Sequence, residues 1–179
     1  MLVTGARAYN KSQACAGYEG YENISLEGGM WISGQNNKKT QIHLFHANNV
    51  VVRNLTISEG KSNHQLEVAG IDGLRVENCT FQNMSKSSKA TKREALQLDL
   101  LCNSSIFPEV NLDGTMMKNV CIKGCTFKNV SRGIGTHSML RGAYMENIEI
   151  TGNKFQNVEQ EAITALNYYK ANIVNNQID

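Results

Sequence analysis

Two carboxylates and four histidines fall in or beside a few short alternating segments of this 179-residue chain. Glu67 lies in QLEVAG (65–70) and Asp99 in ALQLDL (95–100). His43 lies in QIHLFH (41–46), which His46 closes, and His137 in GIGTHS (133–138); His64 directly precedes the second segment. A pair of carboxylates suits acid–base chemistry, one protonating a leaving oxygen while the other activates water. An imidazole titrates near neutrality and can tune or replace either partner. Such chemistry requires the segments to lie side by side.

A repeat supplies the stacking. VVRNLTI (51–57), LRVENCTF (74–81), VCIKGCTF (120–127), IEITGNKF (148–155) and NIVNNQI (172–178) superimpose as apolar-x-(Asn/Gly)-x-x-apolar. Asn54 to Asn78 spans 24 residues, Gly124 to Gly152 spans 28, and Gly152 to Asn175 spans 23. Asn78 to Gly124 spans 46, one repeat plus an insertion. A fixed period of this size marks a stacked architecture in which no repeat buries its apolar face alone. Alternation over a few residues, broken by Asn and Gly, predicts short strands around corners rather than helices. One proline and 15 glycines suit corners of left-handed backbone. The expectation is an all-β, single-stranded parallel β-helix of about six to seven coils. It forms one domain, 1–179, with coils ending near 31, 57, 81, 127, 155 and 178 and insertions at 84–94 and 101–118. Met1-Leu2-Val3 and Ile178-Asp179 carry no polar cap of the kind a solenoid needs. The chain therefore reads as a piece, or a relative, of a longer β-helix, with any export signal outside it.

On the NCTF and GCTF segments and the recurring corner asparagine, the chain resembles the right-handed parallel β-helix proteins of the pectate-lyase and polygalacturonase superfamily. The similarity runs over roughly residues 22–179. It implies three strands per coil, an asparagine ladder at Asn54, Asn78 and Asn175, and a sugar-binding groove on the strand that opens each coil. The corner departs from such a ladder at Gly28, Gly124 and Gly152. The catalytic motifs of polygalacturonases are missing, Gly135-Thr136-His137 being a faint echo of one, and there is no acidic triad for the calcium of a pectate lyase. The resemblance carries a fold, and fold does not fix activity.

On the groove strand, Ile42/Leu44, Leu66/Val68, Leu96/Leu98, Ile134 and Ile163 are expected to point inward, with Thr136 a polar exception. Alternation sends the others outward in columns: His43, Glu67, Gln97, Gly135, Thr164; then Phe45, Ala69, Asp99, His137, Leu166; then Gln41, Gln65, Ala95, Gly133, Ala162. Coils about 4.8 Å apart make His43–Glu67 and Asp99–His137 neighbours. Glu67 and Asp99 fall on a diagonal of roughly 8 Å, inside the spacing used by inverting glycosidases. Asp99, Glu67, His137 and His43 are thus the candidate catalytic residues, and small neighbours such as Ala69 and Gly135 are expected to leave a groove. The two insertions bracket the coil of Gln97 and Asp99 and read as walls. Gln97, His64, Glu94, Arg93, Arg132 and Lys92 are the candidate substrate-binding residues, the cations at the entry suiting an acidic sugar.

Other classes recede. Net charge is +2, and the only basic run, Lys86 to Arg93, is short and serine-rich, which argues against nucleic acid. No apolar run approaches the ~20 residues of a membrane span. The five cysteines form no zinc-site spacing. Cys79 and Cys125 share one repeat position, in phase with Phe81 and Phe127, and are expected as stacked, reduced, buried thiols. Neither metal nor cofactor is expected. The expected function is a carbohydrate-active β-helix, a glycoside hydrolase or polysaccharide lyase acting outside the cell on a polysaccharide. Its alternative is a non-catalytic glycan-binding, adhesive or structural module of a cell surface.

Overall fold

A computed structural model describes residues 2–3, 15–34, 39–60, 63–84, 93–102, 110–136 and 139–179. Among them every regular element is a strand. The first rung holds β1 (Leu2–Val3), β2 (Tyr21–Glu27) and β3 (Met30–Ile32), and the second β4 (Ile42–Arg53) and β5 (Thr56–Ser58). The third holds β6 (Leu66–Glu77) and β7 (Thr80–Gln82), and the fourth β8 (Glu94–Asp99), β9 (Lys118–Lys123) and β10 (Thr126–Val130). The fifth holds β11 (Arg132–Gly135), β12 (Met145–Thr151) and β13 (Lys154–Val158). The sixth holds β14 (Ile163–Thr164), β15 (Tyr168–Val174) and β16 (Gln177–Ile178). All pairings are parallel, each strand lying on the equivalent strand of the next rung, so six rungs make a right-handed β-solenoid of about five turns.

Three faces result. β4 and β6 each run through the corner between the first and second faces, bending at His46 and Asn49 or at Gly70 and Gly73, all with positive φ. The first two faces therefore join in one 10-stranded sheet, and the third is a separate six-stranded sheet. Alternation places Val50, Leu74, Val120 and Ile148 in one inward column of the second face. On the third face Phe81, Phe127 and Phe155 stack with centroids 4.9 Å apart and planes 3° and 8° from parallel, because the rungs set the ring spacing. Each such buried side chain contributes roughly 1.5–3 kcal/mol.

The corner into the third face is left-handed at Asn54, Asn78 and Asn175 (φ 51–56°), with Gly28, Gly124 and Gly152 in the same role. Glycine breaks the amide column there, and the side-chain ladders lie elsewhere. Asn129 Nδ2 donates to Asn83 Oδ1 at 3.1 Å and Asn157 Nδ2 to Asn129 Oδ1 at 2.7 Å. A second ladder runs along the bend of the second face, where Asn49 Nδ2 donates to Asn23 Oδ1 at 2.7 Å.

A third ladder lies inside, one residue past the corner. Cys79, Cys125, Asn153 and Asn176 follow one another there. Cys125 Sγ accepts the Cys79 N–H at 3.4 Å, and Asn153 Oδ1 accepts the Cys125 N–H at 2.9 Å. Asn176 Oδ1 accepts the Asn153 N–H at 3.0 Å. Each side chain also donates to a carbonyl of the rung before: Cys125 to Val76, Asn153 to Ile122, Asn176 to Ile150. The thiols of Cys79 and Cys125 are free and buried. The bond with Cys79, together with burial, pushes the Cys125 thiol far above its ordinary pKa.

Candidate functional site

The register of the first face follows the alternation. His43 pairs with Glu67, Glu67 with Gln97, Gln97 with Gly135 and Gly135 with Thr164. Phe45 pairs with Ala69 and Ala69 with Asp99. Thr136 points inward and is buried, its hydroxyl donating to the Leu98 carbonyl at 2.7 Å.

Exposure differs from the expected open groove. Glu67 is 5 % exposed, Asp99 1 %, and Gln97 and Glu94 0 %. Leu101, with Val110 and Leu112, packs down on Phe45 and Ala69 and makes a small second core outside the solenoid. A Cβ on Gly70 would meet Leu101 Cδ1 at 2.5 Å, so the absent side chain is what admits the leucine. Beside Gly135 the space is taken by Thr164. The small residues thus receive covering side chains instead of leaving a channel, and part of the second insertion acts as a roof rather than a wall. Gln41 and Gln65 also depart from the expected outward column. Both are buried, and their amides donate to corner carbonyls, Gln41 to Ser58 and Glu59, Gln65 to Ile57, Glu59 and Gln82.

The candidate residues gather in two sets. In one, His43 Nδ1 lies 3.5 Å from Glu67 Oε2, which also accepts from Thr40 Oγ1 at 3.1 Å. Gln97 stands between the two carboxylates, opposite Glu67, and its Nε2 donates to Asp99 Oδ2 at 2.6 Å. The other Asp99 oxygen accepts the Leu100 N–H at 2.7 Å. The His43 ring meets Phe45 edge-on, 22 % of its side chain reaches water, and burial lowers its pKa to about 4. The imidazole is therefore neutral near pH 7, the nearby carboxyl being too weak to offset lost hydration.

In the other set, Glu94 lies between Arg132 Nη1 at 3.5 Å and His64 Nδ1 at 3.7 Å. His64 Nδ1 also faces the Glu94 carbonyl oxygen at 2.8 Å. Arg132 Nε reaches Glu161 Oε2 at 2.6 Å and Gln160 Oε1 at 3.0 Å. Arg93 opens the rung of Glu94, half-buried, and burial lowers its pKa. His137 and Lys92 lie outside the described residues, as does any Asp99–His137 contact. Among the described residues no cluster of three or more His, Cys, Asp or Glu is placed to hold a metal.

One constellation had no signal in the sequence. His46 is fully buried at the bend of β4, with Nδ1 3.0 Å from the Gly17 carbonyl oxygen and Nε2 2.8 Å from that of Asn111. Asp113 Oδ2 accepts the Gly17 N–H at 2.8 Å, and the Tyr18 hydroxyl donates to the Met116 carbonyl at 2.8 Å. The segment before β2 and the segment before β9 are thus laced together over the corner, which explains one histidine of the cluster by structure alone.

No family model matches the chain. A curated relative, the plasmin and fibronectin-binding protein A of Streptococcus pneumoniae (strain ATCC BAA-255 / R6), is 25 % identical over 146 residues. The match covers 75 % of this chain and 20 % of that protein. Two solved structures of the pneumococcal surface adhesin PfbA superpose with TM-scores of 0.64 and 0.63, at 22 % and 21 % identity. They cover 86 % and 89 % of this chain but only 44 % and 46 % of the adhesin chains. The chain thus spans about a fifth of the curated relative and less than half of each solved structure. At such identity the structural likeness shows the β-helix fold. No helix among the described residues is long and apolar enough to cross a membrane.

Proposed function

We propose that this chain is a non-catalytic adhesive β-helix module of a bacterial cell surface that binds host proteins. The observation that carries the reading is the burial of Glu67, Gln97, Asp99 and Glu94, with the three carboxylates held by neighbouring groups. A glycosidase site needs its acid and base open to a sugar and a water. The similarity to a protein named for plasmin and fibronectin binding, and to a surface adhesin, supports the same reading and suggests that pair as first partners to test. The carbohydrate-active reading, hydrolase or lyase with Glu67 and Asp99 as its residues, is the rival.

One set of measurements separates them. Immobilised fibronectin and plasmin are titrated with the parent, Glu67→Gln and Asp99→Asn, and the same proteins are assayed for turnover of neutral and acidic polysaccharides. Adhesion predicts protein binding retained in both variants and no turnover by any of them. Turnover by the parent that either substitution abolishes would overturn it.

A further inference from the structure

The asparagine ladder on the second face has a gap. Asn23, Asn49, Asn119 and Asn147 share one left-handed column at the bend, and Lys170 ends it. Gly73 holds the third-rung position, with φ 77° and no side chain. Across the gap Asn119 Nδ2 turns to Asp72 Oδ1 at 2.6 Å, while Asn147 Nδ2 keeps to Asn119 Oδ1 at 2.9 Å. Asn49 Oδ1 is left with no donor from the rung above among the described residues.

Over the gap lies a cavity of about 780 Å³, walled by residues 16–19 on one side and by Asn48, Asn49, Asp72 and Gly73 on the other. That volume is in the range of ligand pockets. The carboxylates of Glu19 and Asp72 line it, and neither forms an ion pair among the described residues. Elsewhere on the solenoid Glu27, Glu146 and Glu161 each hold a cation, at 2.9, 2.8 and 2.6 Å. The cation nearest in register, Lys118, is drawn over the Tyr18 ring, 5.2 Å from its centroid. Asp113, bonded to Gly17 behind the wall, adds a third negative charge.

We propose that this notch receives the ammonium or guanidinium end of a lysine or arginine side chain carried by a partner protein. The inference rests on the adhesive reading and supplies the chemistry of its partner. Two carboxylates and an open amide oxygen are acceptors for several N–H donors on one charged group, and charge-assisted bonds of this kind are the strong ones. An anionic side chain would meet repulsion from Glu19 and Asp72. A neutral one would form no charge-assisted bond with the two carboxylates. The lining belongs to the first three rungs, so the notch is preformed and away from the buried polar set of the first face.

The test uses ¹⁵N-labelled protein titrated with acetyl-Gly-Lys-Gly-amide, with norleucine and glutamate peptides as controls. The lysine peptide should shift the Gly17, Gly73, Asn48 and Asn49 signals, the controls should not, and binding should weaken as salt rises. The Glu19→Gln/Asp72→Asn double variant should lose affinity by about tenfold or more while keeping the parent's thermal midpoint. Glu19→Gln alone, on an exposed side chain, serves if the double variant folds poorly. Equal shifts with norleucine, shifts that map elsewhere, or unchanged affinity in the variants would overturn the proposal. Fibronectin and plasmin binding is read in parallel. If it persists without a lysine response, the notch is refuted and adhesion stands. A lysine response without protein binding refutes adhesion and leaves the notch.

Discussion

Asn153 Oδ1 accepts the Cys125 amide N–H one rung away at 2.9 Å, in the place where Cys125 sulfur accepts the amide of Cys79 at 3.4 Å. An amide and a thiol thus perform the same service at successive turns. Asn153 also donates to the Ile122 carbonyl and is fully buried. Asn153→Ala should lower unfolding free energy by roughly 2–3 kcal/mol in denaturant titrations, because it strands buried backbone groups. Asn153→Cys, copying the previous rung, should recover part of that loss.

Burial should also govern thiol chemistry. In the native protein Cys102, which is exposed, should react first with a thiol reagent. Cys79 and Cys125 should wait for unfolding, and mass spectrometry should show no 79–125 crosslink.

Stability should fall in mild acid through His43. Its folded pKa, about 4, lies below the unfolded value near 6.5, so the native state binds fewer protons there. The contribution is complete above about pH 6.5 and is lost as pH falls through 4. Allowing for the part of the side chain open to water, the loss is on the order of 2 kcal/mol. Denaturant midpoints at pH 7.5, 5.5 and 4.5 should separate in the parent and draw closer in His43→Gln.

Arg132 holds the fully buried Glu94 on one side and Glu161 on the other. Arg132→Met should cost about 3 kcal/mol, since it takes the guanidinium away from a buried carboxylate. Adding Glu94→Gln should restore much of it, and a double-mutant cycle by thermal or denaturant unfolding measures the coupling.

The stacking of this chain was legible because strand alternation has a period of two and the repeat fixes its phase. The pairing of His43 with Glu67, Gln97 and Gly135, the inward Thr136 and the aligned Phe81 and Phe127 all follow from that. The cover over Phe45 and Ala69 was not legible, because Leu101, Val110 and Leu112 reach it from a segment without periodicity. Nor was the role of His46, whose carbonyl partners sit 29 and 65 residues away. The asparagine ladders were not legible for a different reason. The repeated corner holds Asn54 and Asn78, while the amides that bond each other, at 49, 83, 129 and 157, stand outside that repeated motif.

Each rung pairs only with its neighbours, so tension along the axis would meet the stack one layer at a time. Pulled from the Asp179 side, the sixth rung peels first and then the fifth, each releasing about 25 residues, or roughly 80 Å of extended chain. The load would be shed in steps, as in a ribbon of tear-off tabs. The lacing at His46 changes that sequence, because Gly17 and Asp113 tie the first rung to the segment before β9 across the two rungs between. Peeling that reaches the fourth rung must part this knot before it goes further. Under flow, the lower rungs would hold while the upper ones extend.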